Sequence, residues 1–535
     1  MAEKVVIVMS GASRPRQAVV LIHGIGEQMP MVITRGFVKN IRPKDKGWDV
    51  YSEADQADET FELHTYAVPP RNPNHADALQ TDFYEAYWAQ EASGTKLEHV
   101  WRWIRRVFFT GLFRAPGRLR GLYWLAVGLA VLFVASIPVL LLTPVGTAIS
   151  NSVPRMVVQW VVPAVLAVIT GWMVKSLGDL ARYTDDSPDN IEMRQNIRQR
   201  VVGLLEKLHN DHRYTRIIVV GHSLGGIVAY DALRLLWAKR TSGDNGTIPG
   251  KVDDRDVAEA ARPLRLLSAE SRELLKSVSG KQPYSQAVGQ LENFCAQQYA
   301  LHKRLSEAAY YIPSPYVGEP VWKVTDLITL GSPIAYPELL LADGKPEEFS
   351  ALIEERQLPT CPPQRVNNDG YRYESTPGAG KRYHHGAMFA VTRWVNVYAR
   401  GDFAGGPILA ETLGAGVINK ELSGWPLISH SKYWINPHGQ YIITCVIDEP
   451  VECHSRIISV DSYSSEEVTD LMGGPKPDKN DLMGGPEPDE NDLMGGPKPD
   501  KNDLMGGPKP DENDLMGGPK PNEKELMGVS AGSIG

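Results

Sequence analysis

The stretch Arg216-Ile217-Ile218-Val219-Val220-Gly221-His222-Ser223-Leu224-Gly225-Gly226 carries the reading of this chain. Its β-branched run, Ile217 to Val220, fits a buried strand, and Ile227 to Trp237 continues as a helix. Between them, Gly221, Gly225 and Gly226 permit a turn too tight for larger residues. A serine at the tip of such a turn sits on strained backbone, with its hydroxyl exposed and a helix N-terminus behind it.

Working outward, the same strand signal recurs in Val19-Val20-Leu21-Ile22, in Phe61 to Val68 ended by Pro69-Pro70, and in Val324 to Leu330 ended by Gly331-Ser332-Pro333. It appears again in Trp394 to Ala399, which stops at Gly401-Asp402, and the β-branched run Tyr441 to Ile447 predicts a last strand. Val5 to Met9 is too short for the core of a signal peptide and reads as a first strand. Ser187-Pro188 marks a helix start, after which Ile191, Ile197, Val201, Leu204, Leu205 and Leu208 fall mostly along one face. The succession of strand, helix, strand, turn and helix predicts an α/β architecture with a mostly parallel sheet.

Two charge-free runs interrupt this pattern, from Gly121 to Pro154 and from Met156 to Val174. Each is long enough to cross a hydrocarbon core of roughly 30 Å, giving candidate spans at Gly121 to Thr143 and Met156 to Val174. The link between them carries Pro144, Gly146, Asn151 and Pro154, as a tight helical hairpin needs. Arg102, Arg105, Arg106, Arg114, Arg118 and Arg120 precede the first span, and Lys175 and Arg182 follow the second, so the positive-inside rule puts both flanks in the cytoplasm. Leu97, Val100, Trp101, Ile104, Val107 and Phe108 recur at helical spacing among arginines, a pattern suited to the headgroup layer. An even number of crossings lets residues 1–95 fold with residues 184–460. A pair of buried or lid helices in a soluble protein is the competing interpretation.

The net charge of -8 is localised: Ser462 to Gly535 holds 7 Lys against 16 Asp or Glu, which leaves the rest near neutrality. A body without a basic face gives no reason to invoke nucleic acid. Beyond Leu471 an eleven-residue unit, LMGGPKPDKND and close variants, repeats from Leu471, Leu482, Leu493, Leu504 and Leu515, with a truncated copy at Leu526. Each unit is too rich in Gly and Pro and too poor in bulky apolar groups to repay the entropy of folding, so residues 461–535 read as a disordered tail. Its Leu-Met pairs suit an interaction tether; a neutral repeat expansion is the other explanation. Cys295, Cys361, Cys445 and Cys453 show neither zinc-ligand spacing nor a disulfide framework, and read as free thiols in a reducing compartment.

A serine hydroxyl is a poor nucleophile at neutral pH, and needs a base, a carboxylate to orient that base, and donors for the developing oxyanion. The strand, serine turn and helix around Ser223 resemble the nucleophile elbow of α/β-hydrolases, where the partners follow in the order Ser, Asp or Glu, His. Asp402, just past a strand end, fits the acid; an ordinary turn aspartate is the alternative. Among the later histidines, His430, His438 and His454, the apolar flanks of His430 favour it as base, with His454 as runner-up after the expected final strand. His384-His385 read as loop residues and are a weak metal signal. The oxyanion donors expected are the backbone N–H groups of Leu224 and of Ile25, with Gly24 as an adjacent option, in the loop His23-Gly24-Ile25-Gly26. A dinucleotide fingerprint starting at Gly24 fails at its third glycine, where Met29 stands.

Together, HGIGEQ at His23 to Gln28, GHSLGG at Gly221 to Gly226, Leu330-Gly331-Ser332-Pro333, Asp402 and HSKYW at His430 resemble the lipase and esterase branch of the α/β-hydrolase superfamily. The resemblance covers most of residues 5–460 apart from the charge-free runs and the polar, helix-patterned residues 240–320 (Arg265 to Val278 and Tyr284 to Tyr310), which occupy the position of a cap. It implies an α/β-hydrolase fold and a serine hydrolase cleaving carboxylic esters, lipid esters among them, through an acyl-enzyme at Ser223, Asp402 and His430, without cofactor or metal. The division expected is residues 1–95 and 184–460 as the hydrolase core, 96–183 as interfacial helix and membrane hairpin, and 461–535 as tail. Two alternatives stay open: a catalytically silent membrane scaffold, and thioester or amide cleavage by the same groups.

Overall fold

In the computed structural model, the described residues are 15–25, 29–43, 47–55, 63–70, 79–92, 179–241 without 181 and 186, 254–264, 281–308, 457–458, and 322–448 without 343, 367–369, 375–380, 400, 403, 424–429 and 431. Strand β1 (Arg16–Ile22) lies between two parallel neighbours, β4 (Gln80–Glu85) and β5 (Tyr214–His222). Beyond β5 the sheet continues in parallel through β6 (Val324–Leu330), β9 (Arg393–Ala399) and β10 (Ile418–Leu422). On the other side, β3 (His64–Val68) and the edge strand β2 (Tyr51–Ala54) pair antiparallel, giving the order β10-β9-β6-β5-β1-β4-β3-β2. A separate ribbon joins β7 (Arg372–Glu374) to β8 (Lys381–Tyr383).

Helices cover both faces, which is why the central strands are near-continuous apolar runs. Alternate residues of β1 point opposite ways: Ala18, Val20 and Ile22 join one core cluster, Val19 and Leu21 the other. The first cluster is closed by helices α2 (Pro188–Asn210) and α3 (Leu224–Thr241), the second by α1 (Val32–Ile41) and α5 (Pro437–Asp448). Helix α4 (Lys281–Ala308), from the region expected to form a cap, buries Phe294, Cys295, Leu301 and Leu305, and Gln298 donates to the carbonyls of Phe389 (2.6 Å) and Thr392 (3.1 Å). The described part of this helix therefore packs into the core beside β9.

Tyr441 to Ile447, expected as a strand, is helical and lies in α5. Ile442, Ile443, Val446 and Ile447 recur at helical spacing and fill the second core, so packing overrides the β preference of the run. The start signal was present: Asn436 Oδ1 accepts from the amides of His438 (3.0 Å) and Gly439 (3.2 Å), and Pro437 occupies the first turn. Among the described residues the last strand is instead β10, whose inward residues Ile418, Lys420 and Leu422 alternate with half-buried ones. Ser187 does stand at the head of α2, but its hydroxyl donates to Asp185 (2.6 Å) rather than capping the helix, and Ile191 faces outward at 48% exposure.

Val5 to Met9, the interfacial segment, both candidate spans, Arg265 to Val278, His454 and the repeat tail lie outside the described residues. Among the described residues no helix is long and apolar enough to cross a membrane. The ends of the undescribed stretch 93–178 are nonetheless tied together, because the Arg182 guanidinium donates to the carbonyl of Ala92 at 3.0 Å.

At the amino edge of the sheet, buried Arg216 pairs with Asp326 (2.7 Å) and donates to Gln17 (2.9 Å) and to the last carbonyls of α5, Val446 (2.8 Å) and Ile447 (2.9 Å). Removing it leaves several buried acceptors unpaired. Arg216→Leu is expected to cost about 3–5 kcal/mol in urea unfolding; a loss below about 1 kcal/mol would show that this network does not secure α5.

Candidate active site

The parallel strands β1, β5, β6 and β9 end on the same edge of the sheet, and their terminal loops meet there. Ser223, between β5 and α3, adopts φ 54°, left-handed backbone that costs a non-glycine residue about 1–3 kcal/mol. Two hydrogen bonds hold it: Ser223 N–H donates to Leu330 O (2.9 Å), and Gly226 N–H donates to Ser223 O (3.0 Å). Gly225 makes the turn possible, since a methyl group there would run into the carbonyl of Ile22 at the end of β1.

The structure brings Ser223, His430 and Asp402 into one line. His430 Nε2 lies 2.9 Å from Ser223 Oγ, and His430 Nδ1 lies 2.9 Å from Asp402 Oδ2. An ionised carboxylate only accepts, so the imidazole proton sits on Nδ1 and the Nε2 lone pair faces the serine hydroxyl. Asp402 is buried, and burial alone would push its carboxyl up. The hydrogen bond and charge of His430, the Tyr433 hydroxyl at 2.6 Å and the Ala404 amide at 2.9 Å outweigh this and hold it below the usual carboxylate range. Tyr433 is itself fixed by accepting from the Ala399 amide at 3.1 Å.

The loop after β1 rides directly over the serine. A Cβ on Gly24 would stand 2.7 Å from Ser223 Cβ and 3.3 Å from Ser223 Oγ, so only glycine fits. His23 anchors this loop, stacked on Trp88 with ring centroids 4.7 Å apart. The Trp88 amide donates to His23 Nε2 (3.0 Å), which leaves the proton on Nδ1 to donate to Gly24 O (2.9 Å). The N–H and C=O of a trans peptide point oppositely, so fixing the Gly24 carbonyl also fixes the direction of the Ile25 N–H. Leu224, the other expected donor, opens α3, where backbone N–H groups have no intrahelical acceptor.

Three participants carry no role in the sequence reading although two lie in motifs it quotes. Tyr433, within HSKYW, donates to Asp402 and braces its carboxylate. His222, within GHSLGG, has Nε2 2.8 Å from His430 O, so the residue before the serine grips the main chain of the histidine facing it. Burial and the neighbouring His430 push His222 down to about 3, which keeps it neutral. Trp88 follows β4, a strand with no clear apolar pattern. His384 lies in a loop elsewhere, with Nε2 2.8 Å from Gln364 O, and His438 lies in the first turn of α5.

No protein family, no curated protein and no solved structure matches this chain.

Buried histidines set the acid response of the fold. Burial pushes His23 down to about 4, His222 to about 3 and His302 to about 4, below an ordinary value of 6.5. As pH falls below 6.5 the unfolded chain takes up protons that these folded-state rings refuse, so their contribution to stability is lost toward those lower values. Buried Glu85, pushed up to about 7, opposes this between roughly pH 4.5 and 7, but it is one group against several, since burial also pushes His209 well below its ordinary value. Urea unfolding is expected to show stability falling by more than about 2 kcal/mol from pH 7 to pH 5; a flat profile would contradict neutral burial of these rings.

Proposed function

We propose that this protein is a membrane-anchored serine hydrolase of the α/β-hydrolase fold that cleaves carboxylic esters, lipid esters among them. The observation that carries this is the unbroken relay from Ser223 Oγ through His430 to buried Asp402, at 2.9 Å for each link, with the serine held at φ 54°. Such a relay serves no evident packing purpose, since it places a polar line at the sheet edge next to a strained backbone.

In the proposed reaction Ser223 Oγ attacks the ester carbonyl carbon while its proton passes to His430 Nε2. Asp402 stays ionised and stabilises the resulting imidazolium through the Nδ1 hydrogen bond. The carbonyl oxygen, now an oxyanion, is received by the backbone N–H groups of Leu224 and Ile25. Collapse of the tetrahedral intermediate breaks the bond to the alkoxy oxygen, which takes the proton from His430 and leaves as the alcohol. Water then repeats the sequence on the acyl-enzyme, with His430 as base, and releases the carboxylic acid.

Membrane anchorage rests on the two charge-free runs and their arginine-rich flanks. The hydrogen bond between Arg182 and Ala92 supports an excursion that leaves and returns at one point, as two spans with a cytoplasmic catalytic unit require.

Wild-type protein is expected to hydrolyse 4-nitrophenyl esters, and Ser223→Ala to lose about four orders of magnitude or more in kcat. A fluorophosphonate probe is expected to label the wild type and not the variant. Retained turnover in purified Ser223→Ala would overturn the assignment. Tyr433→Phe, which removes one hydrogen bond to the charged Asp402, is expected to lower kcat about tenfold; an unchanged kcat would remove Tyr433 from the relay's support.

A further inference from the structure

Exposed apolar side chains recur on the edge of the sheet that carries the serine. Among the described residues seven large hydrophobics are exposed: Met29 (61%), Val32 (56%), Ile191 (48%), Ile435 (50%), Tyr51, Leu235 and Leu409. The first four lie on the edge of the sheet that carries Ser223. Met29 and Val32 follow the His23–Ile25 loop into the first turn of α1. Ile435 stands in the turn between His430 and α5, beside Trp434, whose indole reaches Gly36 one turn along α1 from Val32. Ile191 is placed by two salt bridges, Arg198 to Asp231 (2.5 Å) and Glu206 to Lys239 (2.6 Å), which lock α2 and α3 parallel with a constant offset. That offset sets Ile191 level with Leu224, directly after the nucleophile.

The route to the charge-free runs starts at the same edge. β4 runs parallel to β1 and ends beside it; Trp88 then donates to His23, and four residues on, Ala92 accepts from Arg182. The chain thus departs for residues 93–178, and returns from them, next to the loop that covers Ser223.

We propose that this edge rests on the lipid bilayer, with Met29, Val32, Ile191 and Ile435 entering the acyl region around the site, so that Ser223 takes its ester from the membrane rather than from water. The occupant is a phospholipid surface because the chain leaves this edge for, and returns to it from, the stretch whose sequence holds two apolar runs long enough to enter one, and exposed apolar side chains stand at this edge on both faces of the sheet. The inference rests on reading those runs as membrane spans and, for its substrate, on the serine hydrolase reading.

The test uses the full chain, with Cys453→Ser as background, reconstituted in phosphatidylcholine vesicles. Nitroxide labels at Ile191→Cys, Ile435→Cys and, three turns along α3 from the serine, Leu235→Cys report collisions with oxygen, which partitions into lipid, and with a water-soluble nickel chelate. Labels at 191 and 435 are expected to be oxygen-accessible and shielded from nickel at least fivefold relative to 235. Equal nickel accessibility at all three positions would overturn the docking edge. In the same vesicles, Ile191→Asp with Ile435→Asp is expected to lower turnover of a long-chain fluorogenic ester dissolved in the bilayer at least tenfold relative to a short-chain ester in water; an equal effect on both esters would overturn it too. Immersed labels without Ser223-dependent hydrolysis of either ester would sink the enzymatic reading and leave the docking edge standing. Hydrolysis of the soluble ester with water-exposed labels would do the reverse.

Discussion

The left-handed backbone at Ser223 is the constraint on which the arrangement depends. A non-glycine residue is held there only if its surroundings over-determine the conformation. Here they do so from four strands: β6 accepts the serine amide through Leu330, β1 presses Gly24 against the serine and Ile22 against Gly225, the chain after β10 brings His430 to the serine hydroxyl, and the loop after β9 brings Asp402 to His430. The strain at one residue is thus offset by the packing of four parallel strands whose ends must coincide.

Neutral and charged groups are sorted with equal care around this point. The three histidines packed closest to it have different jobs, set by what their nitrogens meet. His23 and His222 are sealed in, kept neutral, and used as donors to backbone carbonyls that position the covering loop and the main chain of His430. His430 alone spans a carboxylate and a hydroxyl, and its side chain keeps 26% exposure where the others are buried. Only that ring has both a route for a proton and a charge to stabilise it.

The central strands and the serine turn were legible because they carry their signals locally: apolar runs for β1, β5, β6 and β9, and three glycines around one serine. What escaped depends on distant partners. β4 reads as polar because Asp82 is buried against Arg16 (3.1 Å) and the Tyr214 hydroxyl (2.7 Å), residues far away in sequence. Lys420 hides inside β10 by donating to Ile458 O (3.2 Å). The helix α5 escaped for the opposite reason, since β-branched residues outvoted the Asn436-Pro437 start signal. Asp402 and His430 were reachable from chain order and strand ends, whereas their supports, Tyr433, His222 and Trp88, owe their places to geometry that no spacing encodes.

On the proposed serine hydrolase reading, the relay, the covering loop and the helix start make one joint demand: a tetrahedral group on Ser223 Oγ must fit beneath Gly24 with its oxygen facing backbone amides. A crystal structure of the protein after reaction with a small phosphonate ester tests this most directly. The account predicts phosphorus bonded to Ser223 Oγ, the phosphoryl oxygen about 3 Å from the Leu224 and Ile25 nitrogens, and His430 still against Asp402. An adduct on another residue, or a phosphoryl oxygen turned away from both amides, would contradict it.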